Sequence, residues 1–242
     1  GWETLPSNMP NENITVYAKF TPNKYTITFK ANGEIVSSES LAYGTTIVAP
    51  EAPEKEYYAF VEWTNLLETV PAYDVEFVAV YKQIGIHLID AGTSFSQDEA
   101  ISFDRIRYTR TFNNTNWQAL YVPFELPVTE EFLADFEVAD LNDVRQYDRD
   151  DDGVKDETVI EAFKVTSGAL AANYPYLIRA REAGEKTITV TDATLFAAEE
   201  NSIDCSSVRD KFTFTGTYRQ LSSEELPQSG GYYALSGGVW RP

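Results

Sequence analysis

The sequence predicts a mainly β protein in which a small β-rich module is followed by an antiparallel two-sheet β-sandwich. Aromatic residues make up 14% of the chain, and such side chains favour strands over helices. Runs of alternating apolar and polar residues recur along the chain, separated by Gly, Asn and Asp turn signals. At 242 residues the chain is long enough for one or two domains with buried cores.

The first third of the chain contains two copies of one sequence pattern. Residues 2–20 align without a gap with residues 63–81, at an offset of 61 positions. The identical pairs are Trp2 and Trp63, Leu5 and Leu66, Pro10 and Pro71, and Ala18 and Ala79. This periodicity is typical of a tandem array. Because the first copy opens in mid-pattern, we expect residues 1–22 to be the C-terminal part of a truncated repeat within a longer protein.

Residues 23–83 form one complete repeat, and its alternating runs predict four strands. These runs cover residues 25–29, 34–41, 58–63 and 75–81. Asn32 and Gly33 supply the two positive-φ residues of a tight hairpin between the first two strands. Residues 13–20 alternate in the same way and predict a half-buried strand in the truncated copy.

The repeat carries the segments Tyr25-Thr-Ile-Thr-Phe-Lys-Ala-Asn-Gly33, Tyr43-Gly44-Thr45, Tyr58-Ala-Phe60, Trp63 and Val75-Glu-Phe-Val-Ala-Val-Tyr81. This pattern resembles the Listeria-Bacteroides repeat, the B-type repeat found in internalin-like surface proteins. The resemblance implies a small β-grasp-like module in a secreted, cell-surface protein, and it implies no catalysis. A Trp that recurs once per repeat predicts a core residue at Trp63, with ligand stacking as the alternative.

Residues 84–242 lack the repeat pattern and predict the β-sandwich. Short strand-like runs separated by turn signals are typical of two packed sheets. They cover residues 101–112, 117–124, 158–165, 174–180, 187–191, 211–218 and 232–235. Thr129 is expected to cap a short helix over residues 130–136, with Phe132, Leu133 and Phe136 facing inward.

The second part also carries aromatic and glycine-rich segments with a resemblance of their own. They are Asn116-Trp-Gln-Ala-Leu-Tyr-Val-Pro-Phe124, Tyr174-Pro-Tyr-Leu-Ile-Arg179, Phe214-Thr-Gly-Thr-Tyr218 and the stretch from Tyr232 to Pro242. Together they are similar to the C-terminal β-domain that follows repeats in Bacteroidales cell-surface proteins. That resemblance brings no catalytic residues.

Charge and cysteine content exclude several classes of partner and site. A net charge of −19 repels nucleic acid and anionic membrane surfaces but leaves divalent cations and neutral glycans open. No apolar run reaches the roughly 18 residues of a membrane span. Cys205 is the only cysteine, so we expect a small buried hydrophobe rather than a disulfide or a thiolate metal site.

One acidic segment has the spacing of a cation-binding loop. Asp148, Asp150, Asp152 and Asp156 alternate with other residues around Gly153, a pattern in which carboxylates curl around a hard cation such as calcium. The twelfth position is Val159 instead of a bidentate Glu, and the flanks predict strands, so the segment is not a full EF-hand. The alternative is a solvated hairpin turn built on Asp152 and Gly153.

The only histidine, His87, lies in a strand-like run, and the chain has no nucleophile elbow, so we expect a structural role for it. We therefore expect no enzyme, but a surface adhesin or scaffold, outer-membrane-attached or secreted, whose partner is a surface protein or glycan. A glycan-binding module and a glycoside-active enzyme with an acidic pair are the alternatives. The candidate aromatic pairs for glycan binding are Tyr57 and Tyr58, Tyr174 and Tyr176, and Tyr232 and Tyr233.

Overall fold

A computed structural model describes residues 1–3, 5–90, 95–199, 201–206, 211–219, 221–222, 224–225, 234–236 and 239–241. The chain divides into two compact units, Gly1–Gln83 and Ile84–Pro242. Both units are built mainly from strands, which confirms the predicted fold class.

The first unit contains a four-stranded sheet with the order β2-β1-β4-β3. Its strands are β1 (Lys24–Ala31), β2 (Glu34–Ala42), β3 (Tyr58–Trp63) and β4 (Val75–Gln83). All four lie where the alternating runs predict them. The central pair is parallel, with Ile27 of β1 opposite Val75 of β4, whereas the two outer pairs are antiparallel. Asn32 and Gly33 have φ angles of 54° and 87°, as a tight turn between β1 and β2 requires.

One face of this sheet carries the core of the unit. Phe29 of β1 contacts Phe77 of β4 with ring centroids 5.1 Å apart, and both side chains are buried. Trp63 packs edge-on against Phe29 at 5.0 Å, and its Nε1 donates to the Pro50 carbonyl at 3.2 Å. Since Trp63 is only 6% exposed, the prediction that it is a core residue is confirmed.

Residues 1–20 repeat the strand pairing of residues 63–81 but not its packing. Trp2 bridges to Ala18, just as Trp63 pairs with Ala79. The half-buried strand predicted for residues 13–20 is wrong, because these residues are mostly exposed and form only that one bridge. Alternation indicates a face that can be buried, and no described strand lies beside residues 14–17 as β1 lies beside β4.

The second unit is built around two sheets, with the orders β10-β9-β12-β7 and β13-β6-β5. Their strands are β5 (Gly85–Asp90), β6 (Ile101–Phe112), β7 (Gln118–Leu120), β9 (Phe136–Tyr147), β10 (Glu157–Val165), β12 (Tyr176–Ala180) and β13 (Gly184–Leu195). Three short pairs complete the described part: β8 (Leu126–Pro127) with β11 (Ala169–Leu170), β14 (Ser202–Asp204) with β15 (Thr213–Thr215), and β16 (Ala234–Ser236) with β17 (Val239–Arg241).

Apolar side chains from both sheets share one core, as in a two-layer sandwich. Ile106 of β6, Val138 of β9 and Ile178 of β12 all belong to it and are almost completely buried. One pairing differs from the antiparallel prediction, because β5 runs parallel to β6 along its whole length. The other pairings within the two sheets are antiparallel.

Helix α1 (Glu130–Asp135) confirms the predicted cap. The Phe132 N–H donates to Thr129 Oγ1 at 3.1 Å, and Glu130 and Glu131 occupy the first turn. Phe132 and Phe136 contact each other at 5.0 Å and are buried in the sandwich core. The helix ends at Asp135, and β9 begins at the next residue.

Strand β9 was not predicted, although it is a central strand of its sheet. Val138 points into the sandwich core, whereas Ala139 and Leu141 belong to a second buried cluster that includes Cys205. Asp140 and Asp143 interrupt the apolar positions. Because β9 is buried on both faces, its apolar residues do not alternate with polar ones. Because Asp140 and Asp143 interrupt them, they do not form a continuous apolar run either.

The two equivalent tryptophans give a matched test of packing in the first unit. Trp63→Ala is expected to lower the free energy of unfolding by about 3–5 kcal/mol, because it removes a buried ring. Trp2→Ala should change it by less than about 0.5 kcal/mol, because Trp2 is 61% exposed. Urea denaturation of both variants checks this prediction, and equal costs would contradict it.

Candidate functional site

The acidic residues lie in the loop between β9 and β10. The two strands pair antiparallel from Val138 opposite Val165 to Tyr147 opposite Glu157, so residues 148–156 form the loop of a hairpin. The Asp156 N–H donates to the Tyr147 carbonyl at 2.9 Å and closes the loop at its base.

Carboxylates of the loop hold its backbone in a tight curl. Asp148 Oδ2 accepts from the Gly153 N–H at 2.8 Å, which joins the two ends of the turn. Asp156 Oδ2 accepts from the Arg149 N–H at 2.8 Å. Asp151 and Gly153 have φ angles of 60° and 89°, a backbone conformation that Asp and Gly tolerate best.

Three of the four predicted ligands converge, and the fourth does not. Asp148, Asp150 and Asp156 each offer a carboxylate oxygen, and these oxygens lie within 4.8 Å of one another. Asp152 is outside this group, and its Oδ1 accepts from the Val154 N–H at 2.8 Å. Asp148 Oδ1 is shielded from solvent and has no hydrogen-bond partner in the described part of the chain. A shielded carboxylate oxygen is costly unless a donor or cation reaches it.

The side chains of the two basic residues of the loop make their contacts outside this group. Arg149 forms an ion pair with Glu157 at the start of β10. The Lys155 Nζ donates to the Gln146 carbonyl at 3.3 Å. The three carboxylates therefore repel one another, and their oxygens are the ligand type that a hard divalent cation prefers.

A second charged cluster, which the sequence analysis missed, surrounds Glu137 of β9. Glu137 forms ion pairs with Lys164 of β10 at 2.8 Å, Arg179 of β12 at 2.7 Å and Arg181 at 3.2 Å. Hydrogen bonds from Lys164 and Arg179 lower the pKa of Glu137 to about 2. Arg179 also lies over the Trp117 ring, 4.9 Å from its centroid. The cluster joins three neighbouring strands. Its residues are far apart in the sequence, and only the register of the sheet brings them together.

His87 and Cys205 have structural surroundings. His87 Nε2 lies 2.9 Å from Thr109 Oγ1, and Thr109 lies 2.8 Å from Thr187 Oγ1, so these side chains link three strands. Cys205 is buried, as predicted, and burial raises the pKa of its thiol to about 11. Such a thiol is protonated and unreactive near neutral pH.

The aromatic pairs proposed for glycan binding differ in their surroundings. Tyr174 and Tyr176 contact each other at 4.7 Å, and the Tyr174 hydroxyl donates to Asp140 at 3.2 Å. Burial is the main cause that raises the pKa of Tyr174 to about 12. This pair therefore contributes to packing. Tyr232 and Tyr233 lie outside the described residues.

The remaining aromatic pair and a pocket belong to the first unit. Tyr57 and Tyr58 are partly buried, and the Lys55 ammonium lies 3.9 Å from the Tyr58 ring centroid.

A cavity of about 310 Å³ is lined by Ala31, Asn32, Glu34, Ile35, Val36 and Pro53. Its lining includes one carboxylate, Glu34, whereas glycoside hydrolysis uses two carboxylates roughly 5 to 10 Å apart.

Comparisons with known proteins bear on the first unit. Residues 25–81 match the family model of the Listeria-Bacteroides repeat domain. The resemblance of the repeat is therefore confirmed, whereas the type of the C-terminal domain stays a prediction. No solved structure matches the chain.

Three curated relatives share the repeat. Internalin H of Listeria monocytogenes is 39% identical over 62 residues, which are 26% of this chain and 11% of that protein. A protein of Evansella cellulosilytica named as a membrane protein is 42% identical over 66 residues, 27% of this chain and 10% of its own length. A second protein of that organism, named as a Gly-rich membrane protein, is 43% identical over 63 residues, which are 26% of this chain and 7% of that protein.

In the described part of this chain, no helix is both long and apolar enough to span a membrane.

The Glu137 cluster predicts a pH-dependent stability. The folded-state pKa of about 2 lies below the unfolded value of about 4.3, so the ionised carboxylate stabilises the fold fully above about pH 5. This contribution is lost as the pH falls towards 2. Glu137→Gln should therefore destabilise the protein at neutral pH and have little effect at the acidic limit, as measured by urea denaturation across this range. Glu161→Gln is the control, because Glu161 is half exposed and its pair with Arg145 is 3.9 Å long. A Glu137→Gln effect independent of pH would contradict the assignment.

Proposed function

We propose that this chain is a non-catalytic, extracellular segment of a bacterial cell-surface protein. The repeats act as spacers, and the sandwich acts in adhesion or presentation. The observation that carries the proposal is the tandem repeat, since residues 25–81 match the Listeria-Bacteroides repeat domain and residues 2–20 repeat its closing part. Repeats in series add length and surface rather than chemistry. The chain covers 7 to 11% of the length of the three curated relatives named above, two of which are named as membrane proteins.

The charge of the chain supports an exposed spacer. With a net charge of −19, neighbouring copies repel one another, which keeps a crowded surface layer solvated. The same charge disfavours nucleic acid as a partner. The partner that we propose for this acidic chain is a surface protein or a glycan.

The proposal includes a weak calcium site in the β9–β10 loop. Its ligands are Asp148, Asp150 and Asp156, whose oxygens lie within 4.8 Å of one another. The shielded Asp148 Oδ1 gains a partner when a cation enters the group. A loop without a bidentate Glu should bind with the affinity of extracellular modules, roughly 0.1 to 1 mM.

Two variants of the same loop test the calcium site. Asp150→Asn is expected to weaken calcium binding at least about tenfold, because it removes one of three charges at the ion. Asp152→Asn should leave the affinity nearly unchanged, because Asp152 lies outside the group and Asn keeps the acceptor for the Val154 N–H. Calorimetry with calcium measures both. No heat from the wild type at millimolar calcium would refute the site and leave a solvated turn.

Two measurements on the purified chain, a substrate screen and a glycan array, test the catalytic and the glycan-binding alternatives. We expect no turnover of polysaccharides or common hydrolase substrates, because the carboxylates described above serve a loop or a salt-bridge network. Turnover abolished by a single Asp or Glu substitution would show that the chain is an enzyme. Saturable binding on a glycan array, lost in a single aromatic variant, would favour the glycan-binding alternative over a protein partner.

A further inference from the structure

The cavity of about 310 Å³ in the first unit lies at the turn of the β1–β2 hairpin. Its lining comes from the end of β1, the turn, the start of β2 and the segment between β2 and β3. The volume is at the lower end of the range for ligand sites in proteins. The cavity therefore suits a single side chain or a molecule of similar size.

A β-bulge shapes the apolar wall of the cavity. In the register of β1 and β2, Phe29 lies opposite Ser37. The next residue of β1, Lys30, lies opposite Ile35, so Val36 is an extra residue on β2. Bulges change the direction of the side chains around them. Val36 packs partly against the core, whereas Ile35 is 63% exposed, so the wall combines a fixed and an exposed aliphatic side chain.

The polar part of the cavity carries a carboxylate without a cation beside it. The carboxylate of Glu34 takes part in no ion pair within the described part of the chain. The two lysines nearest in the sequence to the lining make contacts elsewhere. Lys30 Nζ lies 2.6 Å from Glu76 Oε2. Lys55 Nζ lies over the Tyr58 ring, 3.9 Å from its centroid.

The charge around the cavity limits what can occupy it. Glu51 and Glu54 lie on either side of Pro53 in the sequence and are exposed, so that with Glu34 they attract cations. A neutral occupant would take water from the Glu34 carboxylate without replacing its hydrogen bonds, which costs free energy. A side chain with an aliphatic stem and a cationic group matches both the apolar wall and the carboxylate.

We propose that this cavity binds a lysine or arginine side chain of a partner protein. The aliphatic stem packs against Ile35, Val36 and Pro53, and the cationic group donates to the Glu34 carboxylate. The side-chain carbonyl of Asn32 is a second acceptor in the lining. Lysine and arginine share this chemistry, although the planar group of arginine also allows two parallel hydrogen bonds to one carboxylate. This inference goes beyond the proposed function, because it gives the repeat, which acts there as a spacer, a binding site of its own.

Blocked tripeptides with lysine, arginine or norleucine between two alanines test the proposal on the whole chain. Norleucine keeps an aliphatic stem and lacks the charge. In an NMR titration, we expect saturable amide shifts at residues 31–36 with the lysine and arginine peptides. The norleucine peptide should bind about tenfold or more weakly, because it cannot make the charged hydrogen bond to Glu34. Equal affinities of the lysine and norleucine peptides would overturn the proposal, and so would the absence of saturable shifts. An equal effect of methylammonium, which has the charge without the stem, would also overturn it.

Two variants on β2 separate the cavity from the general charge of the chain. Glu34→Gln should weaken binding of both cationic peptides about tenfold or more, because it removes the charge and keeps the shape of the side chain. Glu39→Gln should leave binding unchanged, because Glu39 is exposed on the same strand and does not line the cavity. Equal losses in the two variants would show only attraction to an acidic chain and would overturn the proposal.

A third variant tests the apolar wall. Ile35→Ser should weaken binding of both cationic peptides, because it removes the exposed part of the wall on which the stem packs. The amide spectrum away from the hairpin should stay unchanged, because Ile35 is mostly exposed and contributes little to the core. Full binding by a folded Ile35→Ser chain would contradict the proposed contact of the stem.

Discussion

Strand β9 is buried on both of its faces, and the arrangement of the second unit depends on this constraint. Val138 contributes to the core between the two sheets, while Leu141 and Val144 contribute to the cluster around Cys205. The outer cluster needs a cover, and the chain after residue 200 supplies part of it. The Val144 N–H donates to the Cys205 carbonyl at 3.0 Å, which fixes this segment against the strand. The β9–β10 loop therefore extends from a strand that is packed on both sides.

Negative charge is neutralised by ion pairs at one end of the β9–β10 hairpin and accumulates at the other end. Near the helix, one carboxylate, Glu137, is shared by three cations and stays ionised far into the acidic range. At the loop, three carboxylates approach one another, and the nearby basic side chains of Arg149 and Lys155 bond elsewhere. The first arrangement stabilises the sheet without help. The second keeps three like charges close together, and this asymmetry supports the calcium site that we propose for the loop.

The sequence predicted those elements whose signals are local. Alternation located β1 to β4, Asn32 and Gly33 located their first turn, and Thr129 located the helix. Strand β9 was not predicted, because a strand buried on both faces lacks the alternation that identifies a strand. Residues 13–20 were assigned a half-buried strand because alternation shows a face and says nothing about its cover.

The same limit applies to the candidate site. The Asp spacing identified the loop and three members of the cluster, but it also included Asp152, whose carboxylate is engaged by the Val154 N–H. Spacing along a chain cannot tell which way a side chain turns. Glu137 was missed because its partners Lys164 and Arg179 come from other strands, and only the register of the sheet brings them together.

The parallel pair at the centre of the repeat has a mechanical consequence. Strand β1 begins the repeat and β4 ends it, and the two lie side by side in the same direction. A force that pulls the two ends of the repeat apart drags these strands past each other lengthwise. The hydrogen bonds between residues 27–30 and 75–78 then share the load and must break together, whereas a ladder pulled from one end opens bond by bond. The complete repeat, residues 23–83, is thus held together along the direction of pulling, as the proposed spacer role requires.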